Sequence, residues 1–171
     1  MKAHQIFQNI SPELAIEIFS YLRSNEKETF KGLVGTLAEQ RKLRPIFILK
    51  KTPDEQIAWL CKTAHLKFAD GVDEHVLQIW LLNKHRPLLV SFLDSMGIEH
   101  DGEGSVDKLP ETLDADLLKR TADQLLESTP EEVVKVYLHV FQLQQAGGWP
   151  TLGDLLENDP RLCFTLEQAP A

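Results

Sequence analysis

Three times in this chain a hydroxyl residue, a proline and an acid stand in succession: Ser11-Pro12-Glu13, Thr52-Pro53-Asp54 and Thr129-Pro130-Glu131. A hydroxyl oxygen accepts from the free N–H groups of a first helical turn, proline is best tolerated in that turn, and the acid favours the positive helix end. Each triplet therefore predicts a helix start, and apolar residues at helical spacing follow every one. Leu14, Ile18, Phe19 and Leu22 follow the first; Ile57, Leu60, Cys61 and Ala64 the second; Val133, Val134, Tyr137, Val140 and Phe141 the third. The spacings between triplets share no fixed period, so they are ordinary caps and not a repeat.

Between these segments the same periodicity continues. Phe30, Leu33, Val34, Leu37 and Ala38 form a complete stripe after a start at Asn25-Glu26, which is the pattern of a helix with one face in a core. Ala69-Asp70-Gly71 interrupts the pattern, and Asp73 is read as the cap of a helix carrying Val76, Leu77, Trp80 and Leu81. Pro87 must kink or restart that helix. Leu89, Phe92, Leu93 and Met96 continue the core, and Gly97 fits a C-terminal cap. Residues 98–112 read as one long loop, Asp114 opens another helix, and a last short one runs from Thr151 to Glu157. Pro45-Ile46-Phe47-Ile48-Leu49 has a strand-like composition but no second such run to pair with, so it is expected to be a short buried helix.

The fold class that follows is all-α, a compact array of about seven to nine short antiparallel helices without significant sheet. The chain is expected to be a single domain, with two subdomains, 1–68 and 73–164, as a finer division and 165–171 as a frayed tail. Leu33, Leu37, Leu60, Trp80, Leu81, Phe92, Leu93, Leu125, Tyr137 and Phe141 are the expected core.

Chemistry-bearing motifs are sparse. No histidine has another histidine three or four residues away, and the one acid at such an offset is Glu103 after His100. A helical metal pair needs that spacing, so no metal site, cofactor or catalytic residue is assigned. A calcium loop starting at Asp101 fails, with Val106 where glycine is required and Thr112 where glutamate is required. No Gly-x-Ser-x-Gly, phosphate loop or dinucleotide fingerprint is present. Cys61 and Cys163 are read as free buried thiols of a reducing, cytoplasmic compartment, and neither a leader segment nor a membrane span is expected.

Charge is the remaining feature. The formal net charge is −8, which argues against a general nucleic-acid binder. Residues 1–67 hold 11 Lys/Arg against 7 Asp/Glu, whereas 68–171 hold 7 against 19. Arg41, Lys42, Arg44, Lys50 and Lys51 bracket the apolar pentapeptide and form a candidate interaction patch, expected to meet the acidic half within the chain or between protomers. His85, Arg86, His100, Asp101 and Glu103 form a candidate ligand site, provided the 98–107 loop folds back. Two readings result: a non-enzymatic module that binds another protein or itself, as in a homodimer, and a small helical enzyme or anion- or metal-ligand-binding protein with its pocket near His85, Arg86 and that loop.

Overall fold

In a computed structural model, described over residues 1–164, the chain is all-α, with ten α-helices and no strand among the described residues. It divides into two units, Lys2–Trp80 and Leu81 onward with Met1. The expected tail 165–171 lies outside the described residues.

The N-terminal unit contains α1 (Ala3–Asn9), α2 (Pro12–Asn25), α3 (Lys27–Gln40), α4 (Pro45–Leu49), α5 (Pro53–Thr63), a single 3-10 turn (Lys67–Ala69) and most of α6 (Asp70–Lys84). Two of the three triplets behave as read. The Ser11 hydroxyl accepts from the Leu14 N–H, and Thr52 and Glu55 form a reciprocal capping box. The α2 helix packs on α3 and α5, and α4 is held between α3 and α5. Phe7 of α1 stacks on Phe19 of α2, with ring centroids 5.3 Å apart. Such a pair adds dispersion and quadrupole terms to area burial. The His4 backbone N–H and ring both bond the Asp70 carboxylate, at 3.2 and 2.9 Å, which ties the start of α1 to the start of α6.

The C-terminal unit contains α7 (Arg86–Ser95), α8 (Ala115–Ser128), α9 (Glu131–Leu143) and α10 (Pro150–Asn158). Its centre is aromatic: Phe92 meets Tyr137 and Phe141 edge-on, and Phe141 stacks on Trp149 at 4.8 Å. The Trp149 indole N–H donates to the Pro110 carbonyl at 2.8 Å, which pins the end of the long loop. The α7 helix closes as the sequence suggests. Gly97 adopts φ +65°, and the N–H of Ile98 bonds the Leu93 carbonyl, the C-terminal cap that favours glycine. All ten residues expected in the core are buried.

Several local expectations are corrected. The α1 helix was not expected at all. Gly71 does not break the chain, because α6 begins at Asp70 and carries Gly71 in its first turn. Asp73 is therefore not a cap. Thr129 does not cap α9 either; Pro130 precedes that helix, and its carbonyl accepts from Val133 and Val134. The pentapeptide is helical, but it is not buried. Only Ile48 of its five residues is buried, while Ile46 and Phe47 are 47% and 61% exposed. Both cysteines are free but partly exposed.

The turn between α3 and α4 carries a strained residue. Lys42 adopts φ +58°, the only positive φ outside glycine among the described residues, while Leu43 N–H bonds the Ala38 carbonyl. This is the same helix-ending geometry as at Gly97, built on a side chain that disfavours it. Lys42→Gly should stabilise the protein by about 0.5–1 kcal/mol. Leu93→Ala should destabilise it by about 2–5 kcal/mol. Both are read as shifts in the urea midpoint at constant m-value.

Candidate functional site

The five residues read as a ligand site divide their interactions among themselves and their neighbours. The 98–107 loop does fold back over α7. Gly104, at φ +99°, lies against Leu89 so closely that a Cβ there would stand 3.0 Å from the Leu89 Cβ. This brings Glu103 to 3.4 Å from the Arg86 guanidinium, whose Nε also donates to the Leu82 carbonyl. The His100 ring has both nitrogens engaged. Nδ1 accepts from the Gly102 N–H, so the proton resides on Nε2, which donates to Asp94 at 2.8 Å. Asp101 accepts from the N–H groups of Glu103 and Ser105, and these bonds hold its carboxyl below the usual range. His85 stands between α6 and α7 with a non-helical backbone. No group of three or more potential metal ligands occurs among the described residues.

Two cavities lie in the N-terminal unit. The larger, about 430 Å³, is a groove between α1, α2 and α5. Phe7, Ile10, Ala15, Ile16, Ile57 and Ala58 give it apolar walls, and Asp54, Lys62 and His65 also line it. Ile16 is half exposed at 50%. Cys61 lines it too, and burial raises its thiol pKa, so it stays a thiol at neutral pH.

The second cavity, about 370 Å³, is lined by Arg23, Lys27, Phe30, Lys31, Leu49 and Gln56. Gln56 builds it. Its amide oxygen accepts from Arg23 Nε at 3.0 Å, and its amide nitrogen donates to the carbonyls of Leu49 and Lys51, each at 3.0 Å. The bond fixes Arg23 through Nε, and the terminal guanidinium nitrogens have no partner among the described residues. Lys31 meets Glu28 at 3.1 Å, so the lining carries three cations with one carboxylate beside them.

Neither cavity was foreseen, because each needs three or four helices to meet. The basic patch beside the second one was. Arg41, Lys42, Arg44, Lys50 and Lys51 are all exposed, and none forms an ion pair among the described residues.

Set against protein-family models, curated proteins and solved structures, the chain matches none.

One buried titratable group stands apart from all of these. Asp73 is fully buried, and neither carboxylate oxygen has a hydrogen-bond partner among the described residues. Burial, with Asp70 adding like charge, pushes its carboxyl up to about 9. An unfolded aspartate titrates near 3.9, so between roughly pH 4 and 9 the folded chain holds a proton that the unfolded chain releases. Stability therefore falls as pH rises through that window. Asp73→Asn keeps the shape and removes the titration. Urea unfolding should show the wild type weakening between about pH 5 and pH 8, and the Asn variant should weaken less and be more stable at pH 8 by about 1–4 kcal/mol.

Proposed function

We propose that this chain is a non-enzymatic interaction module whose N-terminal unit receives an apolar segment of a protein partner in the groove between α1, α2 and α5. The observation that carries this reading is the lining of that groove. Its walls are Phe7, Ile10, Ala15, Ile16, Ile57 and Ala58, contributed by α1 and its end, α2 and α5, with Asp54 and Lys62 as charged lining residues and His65 beside them. An amphipathic helix presents apolar side chains at i, i+3, i+4 and i+7, and a groove walled by helices accepts such a row while charged neighbours fix its register. A second copy of the chain supplies amphipathic helices of its own, so self-association is one form of the same reading.

The alternative, a catalytic or ligand pocket near His85, Arg86 and the 98–107 loop, draws less support. The His100 ring is engaged by Asp94 and Gly102, and Arg86 faces Glu103. Free thiols at Cys61 and Cys163 accord with a reducing compartment, and we place the module in the cytoplasm.

Ala58→Arg tests the groove. Ala58 is an exposed helical position on its wall, so arginine is tolerated by the helix and fills the groove. Circular dichroism and the unfolding midpoint should be unchanged. Light scattering should show any wild-type oligomer reverting to one copy, and affinity capture from the native host should lose specific proteins with the variant. Identical mass and identical captured proteins for both chains would overturn the proposal.

A further inference from the structure

We propose that the N-terminal unit docks through α4 onto an anionic phospholipid surface. Among the described residues no helix is long and apolar enough to cross a membrane, so the contact is interfacial. Three observations converge on it.

The first is the direction of the α4 side chains. Within this five-residue helix Ile48 is buried at 3% exposure. Residues two apart on a helix point about 200° apart, so Ile46 faces away from the core that Ile48 enters. Phe47 is 61% exposed and Leu43, just before the helix, is 39% exposed. An aromatic ring exposed to that degree projects from the surface instead of lining a recess. A groove-type protein partner needs a concavity on one side of the contact, whereas lipid accepts any convex apolar tip.

The second is charge. Arg41, Lys42 and Arg44 precede the apolar tip, and Lys50 and Lys51 follow it, all exposed and all without an ion pair among the described residues. Apolar and aromatic side chains flanked by lysine and arginine match the layering of a bilayer interface, with acyl chains below and anionic headgroups around. The lysine and arginine stems extend across this boundary and keep their charges at headgroup level.

The third is the basic cavity. Leu49 lines it, and Leu49 and Ile46 are three apart and share a helix face. The cavity lined by Arg23, Lys27 and Lys31 therefore adjoins α4 at Leu49, one turn along from the exposed Ile46. Gln56 holds Arg23 by Nε, and the terminal guanidinium nitrogens remain for a phosphate oxygen. The apolar tip, the five flanking cations and the cavity of about 370 Å³ thus all adjoin one short helix.

The test uses the full chain and vesicles of phosphatidylcholine alone or with about 30% phosphatidylserine, read by co-sedimentation. Each cation near an anionic surface contributes roughly fivefold in partitioning. The wild type should bind the serine-containing vesicles at least about tenfold better than neutral ones, with binding falling as salt rises from about 50 to 200 mM. Changing Arg41, Lys42, Arg44, Lys50 and Lys51 together to Gln should reduce binding by about a hundredfold or more. Ile46→Gln/Phe47→Gln alters only exposed positions, so its circular dichroism should be that of the wild type, and its binding should fall by about tenfold. Equal binding to both vesicles, or binding unchanged by the Ile46/Phe47 variant, would overturn the proposal. Retention on polyglutamate without vesicle binding would overturn it in favour of an acidic polypeptide. Glycerophosphoserine in solution binding as tightly as the vesicles would overturn the surface in favour of a soluble phosphate ligand.

Discussion

Gln56 is buried to 5% exposure, and both halves of its amide are engaged. The oxygen takes the Arg23 Nε–H, and the nitrogen gives its two hydrogens to the carbonyls of Leu49 and Lys51. Those carbonyls lie at and just after the end of α4, where helical carbonyls lack partners of their own. A helix of five residues has too few internal hydrogen bonds to persist alone. Its position is therefore set from outside, by Ile48 entering the core and by Gln56 tying its end to α5 and α2. With Ile48 turned inward and the C-terminal carbonyls fixed, the remaining side chains have one direction left. Ile46 and Phe47 must face outward, and Arg23 must line the adjoining cavity.

Two very different treatments of polar groups coexist in this unit. Gln56 shows a buried amide with every hydrogen-bonding group satisfied, which makes it a clamp. Asp73 shows a buried carboxyl with no partner among the described residues, protonated at neutral pH because ionisation in that environment is so costly. The first organises a surface, and the second weakens the fold as pH rises. The C-terminal unit is held differently, by the aromatic group around Phe92, Phe141 and Trp149 and by the loop that folds over α7. His139 there is buried, and burial lowers its pKa to about 4, so it stays neutral with its Nε2 3.0 Å from the Leu162 carbonyl. Protonation of such a histidine favours the unfolded chain, so its contribution is lost as pH falls below about 6.5 towards 4.

Helix class and core composition were legible because they depend on local spacing. Leu33 and Leu37 fall on one face of α3, and Tyr137 and Phe141 on one face of α9, whatever their tertiary neighbours are, and Ser11, Thr52, Gly97 and Asp114 act on groups within five residues. The failures share a cause as well. Apolar composition predicts burial for the pentapeptide at 45–49, but a single short turn packed by Ile48 leaves Ile46 and Phe47 to solvent. Asp73 resembles a cap because aspartate is usual there, yet the His4–Asp70 bonds accompany a helix that begins three residues earlier. Ile6, Phe7 and Ile10 stand at helical spacing and could have revealed α1. The Gln56 clamp had no local signal, because its partner Arg23 is 33 residues away. Of the candidate residues, the basic patch was visible as a charge run. The exposure of its apolar neighbours Ile46 and Phe47, and the two cavities, depend on how several helices come together.

Gln56 holds α4 in the pose that displays Ile46, Phe47 and the flanking cations. Hydrogen–deuterium exchange of Gln56→Leu against the wild type measures this directly. Leucine keeps much of the side-chain volume and removes all three hydrogen bonds, so local opening should become more frequent at α4 alone. Amide exchange over 46–51 should accelerate by about tenfold or more, while the amides of α8 and α9 keep their wild-type rates. Unchanged exchange over 46–51 in a folded Gln56→Leu protein would contradict it.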